Sequence, residues 1–261
     1  MKPRSLSNNV LAIIALLLLT VAMASGAVGV KFGARYQGYM DCCQMPLLRS
    51  LILTVKDKLG LVTFYSQIGQ DIWVSEAVFP DVKNGFFVDV GAGDGTINSN
   101  TKALEQKGWT GICIDPFPDN MQDRTCQILR AVVFSESGKS VKFWDGGRWG
   151  GITDTLDPNV VAGVMQQHPE FTEFTTVTLG DILERAKAPR FIHFMSMDIE
   201  GGELNALKGF PFDKYQLGAL AVEHWYHEPQ RSEIKALMES HGYKRVHNWE
   251  MDDFYVPISN R

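Results

Sequence analysis

Residues 86–100 read FFVDVGAGDGTINSN and give the clearest indication of the fold class. An apolar run ends at Asp89 and Val90, and glycines then follow at every second position as far as Gly95. The pattern D-x-G-x-G-x-G between a strand and a helix is typical of a loop whose bare backbone lies against a cofactor. No Gly-Lys-Ser/Thr follows, and the third glycine comes one residue too early for G-x-G-x-x-G. The stretch therefore predicts a cofactor loop that is neither a nucleoside-triphosphate cradle nor a standard dinucleotide loop.

A second acid supports the same interpretation. Asp115 ends the next predicted strand, residues 111–115, and lies 20 residues beyond Gly95. Rossmann-like folds place a carboxylate at this strand end, where it accepts hydrogen bonds from the ribose hydroxyls of a cofactor. The alternative is a glycine turn followed by an aspartate that only caps the next helix. Because the loop and the acid occur together at the expected spacing, the sequence favours the cofactor site.

Beyond the loop, segments with the periodicity of strands and helices alternate. Strands are predicted at 86–90, 111–115, 128–134, 139–144, 191–199 and 217–225, and helices at 96–107, 181–186, 203–210 and 232–242. The chain closes with a predicted antiparallel pair, 243–249 and 253–258. Because the strands are nearly continuous apolar runs, we expect an α/β fold whose mostly parallel sheet is covered by helices on both faces, with 139–144 at an edge.

Four blocks of the sequence resemble the FkbM-type methyltransferases. They are DVGAGDG (89–95), ICIDPFPDN (112–120), MSMDIEGGELNALKG (195–209) and AVEHW (221–225), and the lead-in YSQIGQD (65–71) is similar as well. The resemblance covers residues 64–255, and the DIEGGELNALKG segment makes it specific. It implies a class I methyltransferase (Rossmann-like) sandwich with a seven-stranded, mostly parallel sheet and one antiparallel strand. It also implies S-adenosylmethionine as cofactor and methylation of a hydroxyl on a small-molecule or glycan-like acceptor.

The resemblance also assigns cofactor-binding residues. By this resemblance the loop contacts the methionyl part of S-adenosylmethionine, and the acid after the second strand contacts the ribose. The residues concerned are Asp89, Gly91, Gly93 and Gly95 for the methionyl part and Asp115 for the ribose. Gln67 and Asp71 either close over the cofactor or form a helix N-terminal turn that packs on the sheet.

Polar residues at two later strand ends are the candidate catalytic groups. Asp198 and Glu200 lie at the end of one predicted strand, and Glu223 and His224 lie at the end of a neighbouring one. In open α/β sheets the carboxyl ends of the strands meet beside the cofactor, where a hydroxyl acceptor needs alignment and a proton acceptor. Asp198 and Glu200 share one strand face if the strand continues that far. A divalent cation could be held there, although the pattern does not require one, so no metal ligand is assigned.

Two further features of the sequence bear on the site and on the redox environment. The glycine-rich segment 144–156 carries Arg148 and Trp149, which suit a carbohydrate or aromatic acceptor, and it is expected to be a lid or a solvated connection. Cys113 is expected inside a predicted strand and Cys126 at the beginning of the next one, where cysteine is mostly a small apolar residue. The four cysteines therefore predict no disulfide framework.

The N-terminus predicts a membrane or export function. Residues 10–30 hold no charge for 21 positions, which as a helix would span ~30 Å, about one bilayer core. This is a signal anchor that holds the chain in the membrane, or a signal peptide whose removal leaves an exported or lumenal protein. The flanking charges do not choose an orientation. We therefore expect an N-terminal membrane or signal helix at 1–30, a linker and amphipathic helix at 31–63, and a methyltransferase domain at 64–261.

The charge balance limits the partners. The 261 residues carry a formal net charge of −5, and residues 1–30 contain bases but no acid, so the rest is more acidic still. Nucleic-acid phosphates would be repelled, which favours a small-molecule or glycan acceptor. The main rival is a membrane-tethered, methyltransferase-like protein with a non-catalytic binding or assembly role. A dehydrogenase that uses NAD is disfavoured by the glycine spacing and by the lack of a Tyr-x-x-x-Lys element near the sheet.

Overall fold

The computed structural model of the chain describes Lys56, Leu59 and residues 62–118, 120–156 and 170–258. The predicted N-terminal membrane or signal helix and nearly all of the predicted amphipathic helix lie outside these residues. No helix within the described ranges is long and apolar enough to cross a membrane.

A seven-stranded sheet forms the centre of the molecule. In chain order its strands are β1 (Phe86–Val90), β2 (Thr110–Asp115), β3 (Gln127–Arg130), β9 (Phe194–Met197), β11 (Leu220–Glu223), β12 (Tyr243–Trp249) and β13 (Asp252–Pro257). Their spatial order is β12-β13-β11-β9-β1-β2-β3, and β13 alone runs antiparallel to its neighbours. The predicted seven-stranded sheet with one antiparallel strand is therefore confirmed.

Helices and two smaller sheets complete the described fold. The helices are α1 (Gln70–Ile72), which continues as a π-helical stretch over Trp73–Val78, α2 (Lys102–Gln106), α3 (Leu179–Arg185), α4 (Glu203–Lys208) and α5 (Gln230–Ser240). A four-stranded sheet has the order β4-β7-β5-β6, from β4 (Val132–Val133), β5 (Ser140–Trp144), β6 (Gly151–Ile152) and β7 (Phe171–Val177). A two-stranded sheet pairs β8 (Phe191–Ile192) with β10 (Gln216–Leu217).

The two faces of the central sheet bury different sets of side chains. Val88 and Val90 of β1 belong to a large aliphatic cluster under α3, α4 and α5. Phe87, with Phe194 of β9 and Phe254 of β13, belongs to a second cluster that includes Trp73 after α1. Side chains alternate between the two faces along a strand. Every second residue counted from Phe87, and from its equivalents on the other strands, therefore lies on the face of this second cluster.

Three predicted elements differ from the structure for local reasons. The helix predicted at 96–107 begins only at Lys102, because Asp94 Oδ1 accepts hydrogen bonds from the amides of Thr96 and Ile97, and Asn98 has a left-handed backbone (φ 57°). The strand predicted at 128–134 is divided between two sheets, as β3 and β4. The strand predicted at the edge, 139–144, is β5, which is an interior strand of the smaller sheet.

The cysteine prediction is wrong for one pair. Cys113 and Cys126 form a disulfide, with their Cα atoms 5.9 Å apart. Cys113 lies within β2, and Cys126 immediately precedes β3, which pairs with β2 in parallel. Because this contact depends on the register of two strands that are separated by a loop, the spacing of the cysteines alone did not indicate it.

Candidate cofactor and acceptor site

The carboxyl edge of the central sheet brings the predicted site residues into one row. Val90 of β1 pairs with Ile114 of β2 and with Met197 of β9, and Val222 of β11 also pairs with Met197. The residues that follow these positions therefore lie side by side. In spatial order the row is Asp115, Gly91, Asp198 and Glu223, and Asp252 of β13 pairs with Glu223 at its end. All of these residues lie on the face of the sheet that carries Phe87.

The three glycines of the loop differ in what a side chain would meet at each position. Gly91 (φ 83°) packs against the main-chain carbonyl of Asp198, where a Cβ atom would overlap with the oxygen. At Gly95 (φ 74°), an added Cβ atom would lie only 2.9 Å from Arg124 Cγ. Gly93 (φ 56°) differs, because a Cβ atom there would meet no protein atom within 4 Å. Gly93 is thus the loop glycine whose exposed backbone a ligand can approach.

Asp115 ties the glycine loop to the end of β2. Its Oδ2 accepts a hydrogen bond from the Gly93 amide (2.9 Å), and its Oδ1 accepts one from the Phe117 amide (2.7 Å). Burial raises the pKa of Asp115, and these two backbone hydrogen bonds oppose the rise. Each carboxylate oxygen retains a second lone pair for a ligand. The predicted acid therefore lies directly beside the open glycine.

Asp89 lies deeper in the protein than a residue in direct contact with a cofactor needs to lie. Its carboxylate is buried, accepts a hydrogen bond from Thr101 Oγ1 (2.5 Å) and lies 3.9 Å from Arg124 Nη1. Burial raises the pKa of Asp89 to about 6, and Arg124 opposes the rise. Arg124, which the sequence did not single out, also donates to the Gly95 carbonyl (3.0 Å) and to Thr101 (2.7 Å). Asp89 and Arg124 together hold the loop from beneath.

The lead-in segment 65–71 lies against the residues after the glycine loop. Gln67 is exposed, and its Oε1 accepts a hydrogen bond from Asn98 Nδ2 (3.3 Å). Asp71 is fully buried and accepts hydrogen bonds from Ser66 Oγ (2.5 Å) and from the amides of Tyr65 and Ile72 (2.8 Å each). A direct contact of Asp71 with a cofactor is therefore not supported, because its carboxylate already organises the turn before α1. Gln67 remains beside the loop.

Three carboxylates converge after β9 and β11. One oxygen each of Asp198, Glu200 and Glu223 lies within 4.8 Å of the others. Glu223 is buried, and its pKa is raised well above the usual range, first by burial and then by the charge of Asp198. Glu200 reaches this cluster from a left-handed turn (φ 56°) rather than from a strand, since β9 ends at Met197. The strand does not continue as far as Glu200, so the condition for a shared strand face is not met, although the side chains do lie close together.

Glu203 holds the turn before α4, whose N-cap residue is Gly202 and has no side-chain cap hydrogen bond. Glu203 Oε1 accepts hydrogen bonds from the amides of Ile199 (3.1 Å) and Gly201 (3.0 Å), and Oε2 accepts one from Gln230 Nε2 (2.8 Å). Burial raises the pKa of Glu203 to about 7. Glu203 therefore shapes the turn that presents Glu200.

His224 lies on the opposite side of the sheet from the carboxylates. Its Nδ1 accepts a hydrogen bond from the Tyr226 amide (2.9 Å), and its Nε2 lies 3.5 Å from Asp253 Oδ1. Asp253 also accepts hydrogen bonds from Arg231 (3.0 Å) and Arg245 (2.8 Å). The prediction of a catalytic His224 is not supported by this position, because the ring belongs to a structural ion cluster. Neighbouring residues of an extended chain point to opposite faces, which explains why Glu223 and His224 separate.

Asp252 is a member of the row that sequence reasoning missed. It is buried, and its Oδ2 accepts a hydrogen bond from Gln70 Nε2 (2.8 Å). Burial raises the pKa of Asp252 to about 8, and the charge of Asp198 adds to the effect. Its place beside Glu223 follows from the insertion of β13 between β11 and β12, which no local sequence signal indicates.

Two exposed tryptophans lie beside the carboxylates. The rings of Trp149 and Trp225 have centroids 6.1 Å apart and are tilted by 44°, and their exposed fractions are 47% and 37%. Trp225 follows Glu223 by two residues and has a left-handed backbone (φ 42°). On the other side, a Cβ atom at Gly151 of β6 would lie 3.2 Å from the Glu200 carbonyl oxygen. The pair thus connects the segment that contacts the Glu200 backbone with the residue two positions after Glu223.

A comparison with protein families finds a match for the part of the chain that forms this site. The model of the methyltransferase FkbM domain matches residues 89–245, which include the glycine loop, the three carboxylates and both tryptophans. No curated protein sequence matches the chain. Among solved structures, the RNA methyltransferase candidate PH1948 of Pyrococcus horikoshii is 10% identical, with 73% of this chain and 81% of that chain covered and a TM-score of 0.35. The METTL16 methyltransferase domain is 11% identical, with coverages of 87% and 90% and a TM-score of 0.36. Similarities this weak have no bearing on the activity of this chain.

Proposed function

Because this chain belongs to the FkbM methyltransferase family, we propose that it transfers the methyl group of S-adenosylmethionine to a hydroxyl of a small-molecule or glycan-like acceptor. The observation that carries this proposal is the open backbone of Gly93, whose amide is hydrogen-bonded to Asp115 at the carboxyl edge of the sheet. A glycine with free space at the Cβ position and a carboxylate beside it suit a ligand with a polar sugar part.

The proposal gives each end of the cofactor its own set of contacts. Asp115 receives the ribose hydroxyls through the lone pairs that its backbone hydrogen bonds leave available. The methionyl part lies along the backbone of residues 91–95, beside the Gly91–Asp198 contact. Gln67 borders this space, because it is exposed and contacts Asn98. The sulfonium methyl group then points toward the carboxylates after β9 and β11.

The acceptor hydroxyl is proposed to lie between the cofactor and Asp198. Its oxygen attacks the methyl carbon, the bond from that carbon to sulfur breaks, and S-adenosylhomocysteine leaves. The hydroxyl proton passes to the Asp198 carboxylate. Alignment of the acceptor oxygen with the carbon–sulfur bond supplies most of the acceleration in such a displacement.

The tryptophan pair supports an acceptor with a flat or sugar-like ring. Trp149 and Trp225 are both exposed and their rings lie near each other, with Trp225 two residues after Glu223. Aromatic faces bind the apolar faces of sugars and other rings, and exposed large aromatic side chains often mark binding sites.

The disulfide supports a location on the oxidising side of a membrane. Cys113 and Cys126 are joined, and disulfides persist mainly in exported and lumenal proteins. We therefore propose that residues 1–30 anchor or export the domain to that side, where S-adenosylmethionine must also be supplied. Mass spectrometry of the chain isolated with its thiols blocked tests this proposal. An intact Cys113–Cys126 bridge is expected, and two alkylated thiols would contradict it.

The proposed reaction is tested by methyl transfer from labelled S-adenosylmethionine. The full chain in detergent is incubated with a panel of hydroxyl acceptors that contains free sugars, aryl glycosides and phenols. We expect label in at least one class of acceptor, with one S-adenosylhomocysteine formed per methyl group transferred. Asp198→Asn should retain cofactor affinity and lose at least about 100-fold in turnover. A folded chain that binds no cofactor would contradict the enzyme and favour a tethered, non-catalytic role.

A further inference from the structure

The carboxylates after β9 and β11 have the spacing of a cation site. The oxygens of Asp198, Glu200 and Glu223 lie within 4.8 Å of one another. Oxygens that bind one Mg²⁺ or Ca²⁺ at roughly 2.1–2.5 Å lie about 3–5 Å apart, so these three carboxylates fit a shared ion. Three acids at this distance are mutually repulsive unless a proton or a cation lies between them.

Glu223 provides a second and independent observation. Its side chain is more than nine-tenths buried, with an exposed fraction of 7%. Its Oε2 is buried and has no hydrogen-bond partner among the residues that the structure describes. A buried carboxylate oxygen without a partner is costly, because it loses its hydration and gains no hydrogen bond in return. The neighbouring acids differ, because Glu203 and Asp252 accept hydrogen bonds from Gln230 and Gln70.

We propose that Asp198, Glu200 and Glu223 bind a divalent cation with a preference for oxygen ligands, such as Mg²⁺ or Mn²⁺. Carboxylate ligands without histidine or cysteine select hard cations. The other described group with suitable residue types, Glu105 with Cys113 and Cys126, is unsuitable because the two sulfurs form a disulfide.

This cation would act on the acceptor. A hydroxyl oxygen bound to Mg²⁺ loses its proton more readily and is held in a fixed position for attack on the methyl group. One oxygen of Asp198 would bind the ion, and its other oxygen would take the proton. The catalytic role of the cation rests on the proposed function, whereas the binding of the cation does not.

Cation binding is measured by electron paramagnetic resonance of Mn²⁺ added to the chelator-treated full chain, without cofactor or acceptor. The signal of free Mn²⁺ should fall as one equivalent binds, and Mg²⁺ should displace it. Glu223→Gln keeps the shape of the side chain and should weaken binding at least about tenfold, as should Asp198→Asn. The matched control is Asp252→Asn, which removes an acid from the same row and should leave the affinity within about threefold.

The outcomes separate the cation site from the proposed function. Mn²⁺ binding by a chain that does not bind S-adenosylmethionine would support the cation site and contradict the methyltransferase. Binding of S-adenosylmethionine with no saturable Mn²⁺ binding up to about 10 mM would overturn the cation site. Equal Mn²⁺ affinity of the native chain and Glu223→Gln would also overturn it, because the buried oxygen would then play no part.

Discussion

The backbone of Gly91 lies directly against the carbonyl group of Asp198, so closely that a methyl group at Gly91 would overlap with that oxygen. The amide of Asp198 also donates a hydrogen bond to the Val90 carbonyl (3.0 Å). The first glycine of the loop therefore has a packing role in addition to the cofactor role that is proposed for it. It fixes the distance between the loop and the acid that is proposed to act on the acceptor.

Gly91→Ala should be strongly destabilising. The new Cβ atom must displace β9 from β1, and alanine must adopt φ 83°, so we expect a loss of about 3 kcal/mol or more in the free energy of unfolding. Gly138→Ala is the matched control, because Gly138 has a similar φ (88°) but open space around its Cβ position, and it should lose only about 1 kcal/mol. Urea unfolding of both variants measures the difference. Equal losses would show that the Gly91–Asp198 contact is unimportant.

Asp115→Ala should weaken cofactor binding by about 1–3 kcal/mol, or roughly 5- to 150-fold, because the ribose hydroxyls lose their acceptor. Calorimetric titration with S-adenosylmethionine measures this effect. Asp213→Ala removes an exposed acid from the turn before β10 and should bind as the native chain does. An unchanged affinity of Asp115→Ala would show that the carboxylate only holds the Gly93 amide.

Trp149→Ala and Trp225→Ala should raise the KM for the acceptor by about fivefold or more, since a stacked aromatic ring contributes about 1 kcal/mol or more. The KM for S-adenosylmethionine should stay within about twofold. Steady-state kinetics with the best acceptor of the panel separate the two constants. Phe171→Ala, at an exposed aromatic residue of β7, serves as the control and should change neither. A change in the cofactor KM alone would contradict an acceptor role for the pair.

Asp253 should make stability depend on pH in acid. Burial acts to raise the pKa of Asp253, but the hydrogen bonds from Arg231 and Arg245 and the nearby His224 ring outweigh it and hold the pKa well below the usual range. Ionised Asp253 therefore stabilises the fold above the unfolded pKa of about 3.9, and this stabilisation is lost as the pH falls through the lower folded value.

The matching variant is Asp253→Asn. It should lose about 3 kcal/mol at pH 7, because two arginines lose a buried ionic partner. Its free energy of unfolding should then fall less steeply than that of the native chain below about pH 4. Chemical unfolding at several pH values gives both curves. Parallel curves would exclude Asp253 as a source of the acid dependence.

The sequence predicted the central sheet and the cofactor loop because both depend on local patterns. Apolar runs that are bounded by glycines indicate β1, β2 and the turn between Asp89 and Gly95. Family resemblance then supplied the seven strands and the reversed β13. The carboxylates after β9 and β11 were found because the carboxyl ends of parallel strands meet at one edge.

The remaining features depend on contacts between distant segments. The separation of His224 from Glu223 depends on which face of β11 each residue continues, and the role of Asp252 depends on the position of β13 in the sheet. The structural role of Asp71 comes from hydrogen bonds to the turn before α1. The bridge between Cys113 and Cys126 requires the register of two strands. No local pattern distinguishes these outcomes from their alternatives.

The most direct test of the cofactor site is calorimetric titration of S-adenosylmethionine into the full chain, the Gly93→Ala variant and the Gly138→Ala variant. Both glycines have left-handed backbones and open space at the Cβ position, so both variants should fold with similar small losses of stability. We predict one binding site with a dissociation constant on the order of micromolar for the native chain and for Gly138→Ala. Gly93→Ala should bind at least about tenfold more weakly, because its methyl group occupies the space of the cofactor. No binding by the folded native chain, or equal binding by Gly93→Ala, would contradict a cofactor site at Gly93.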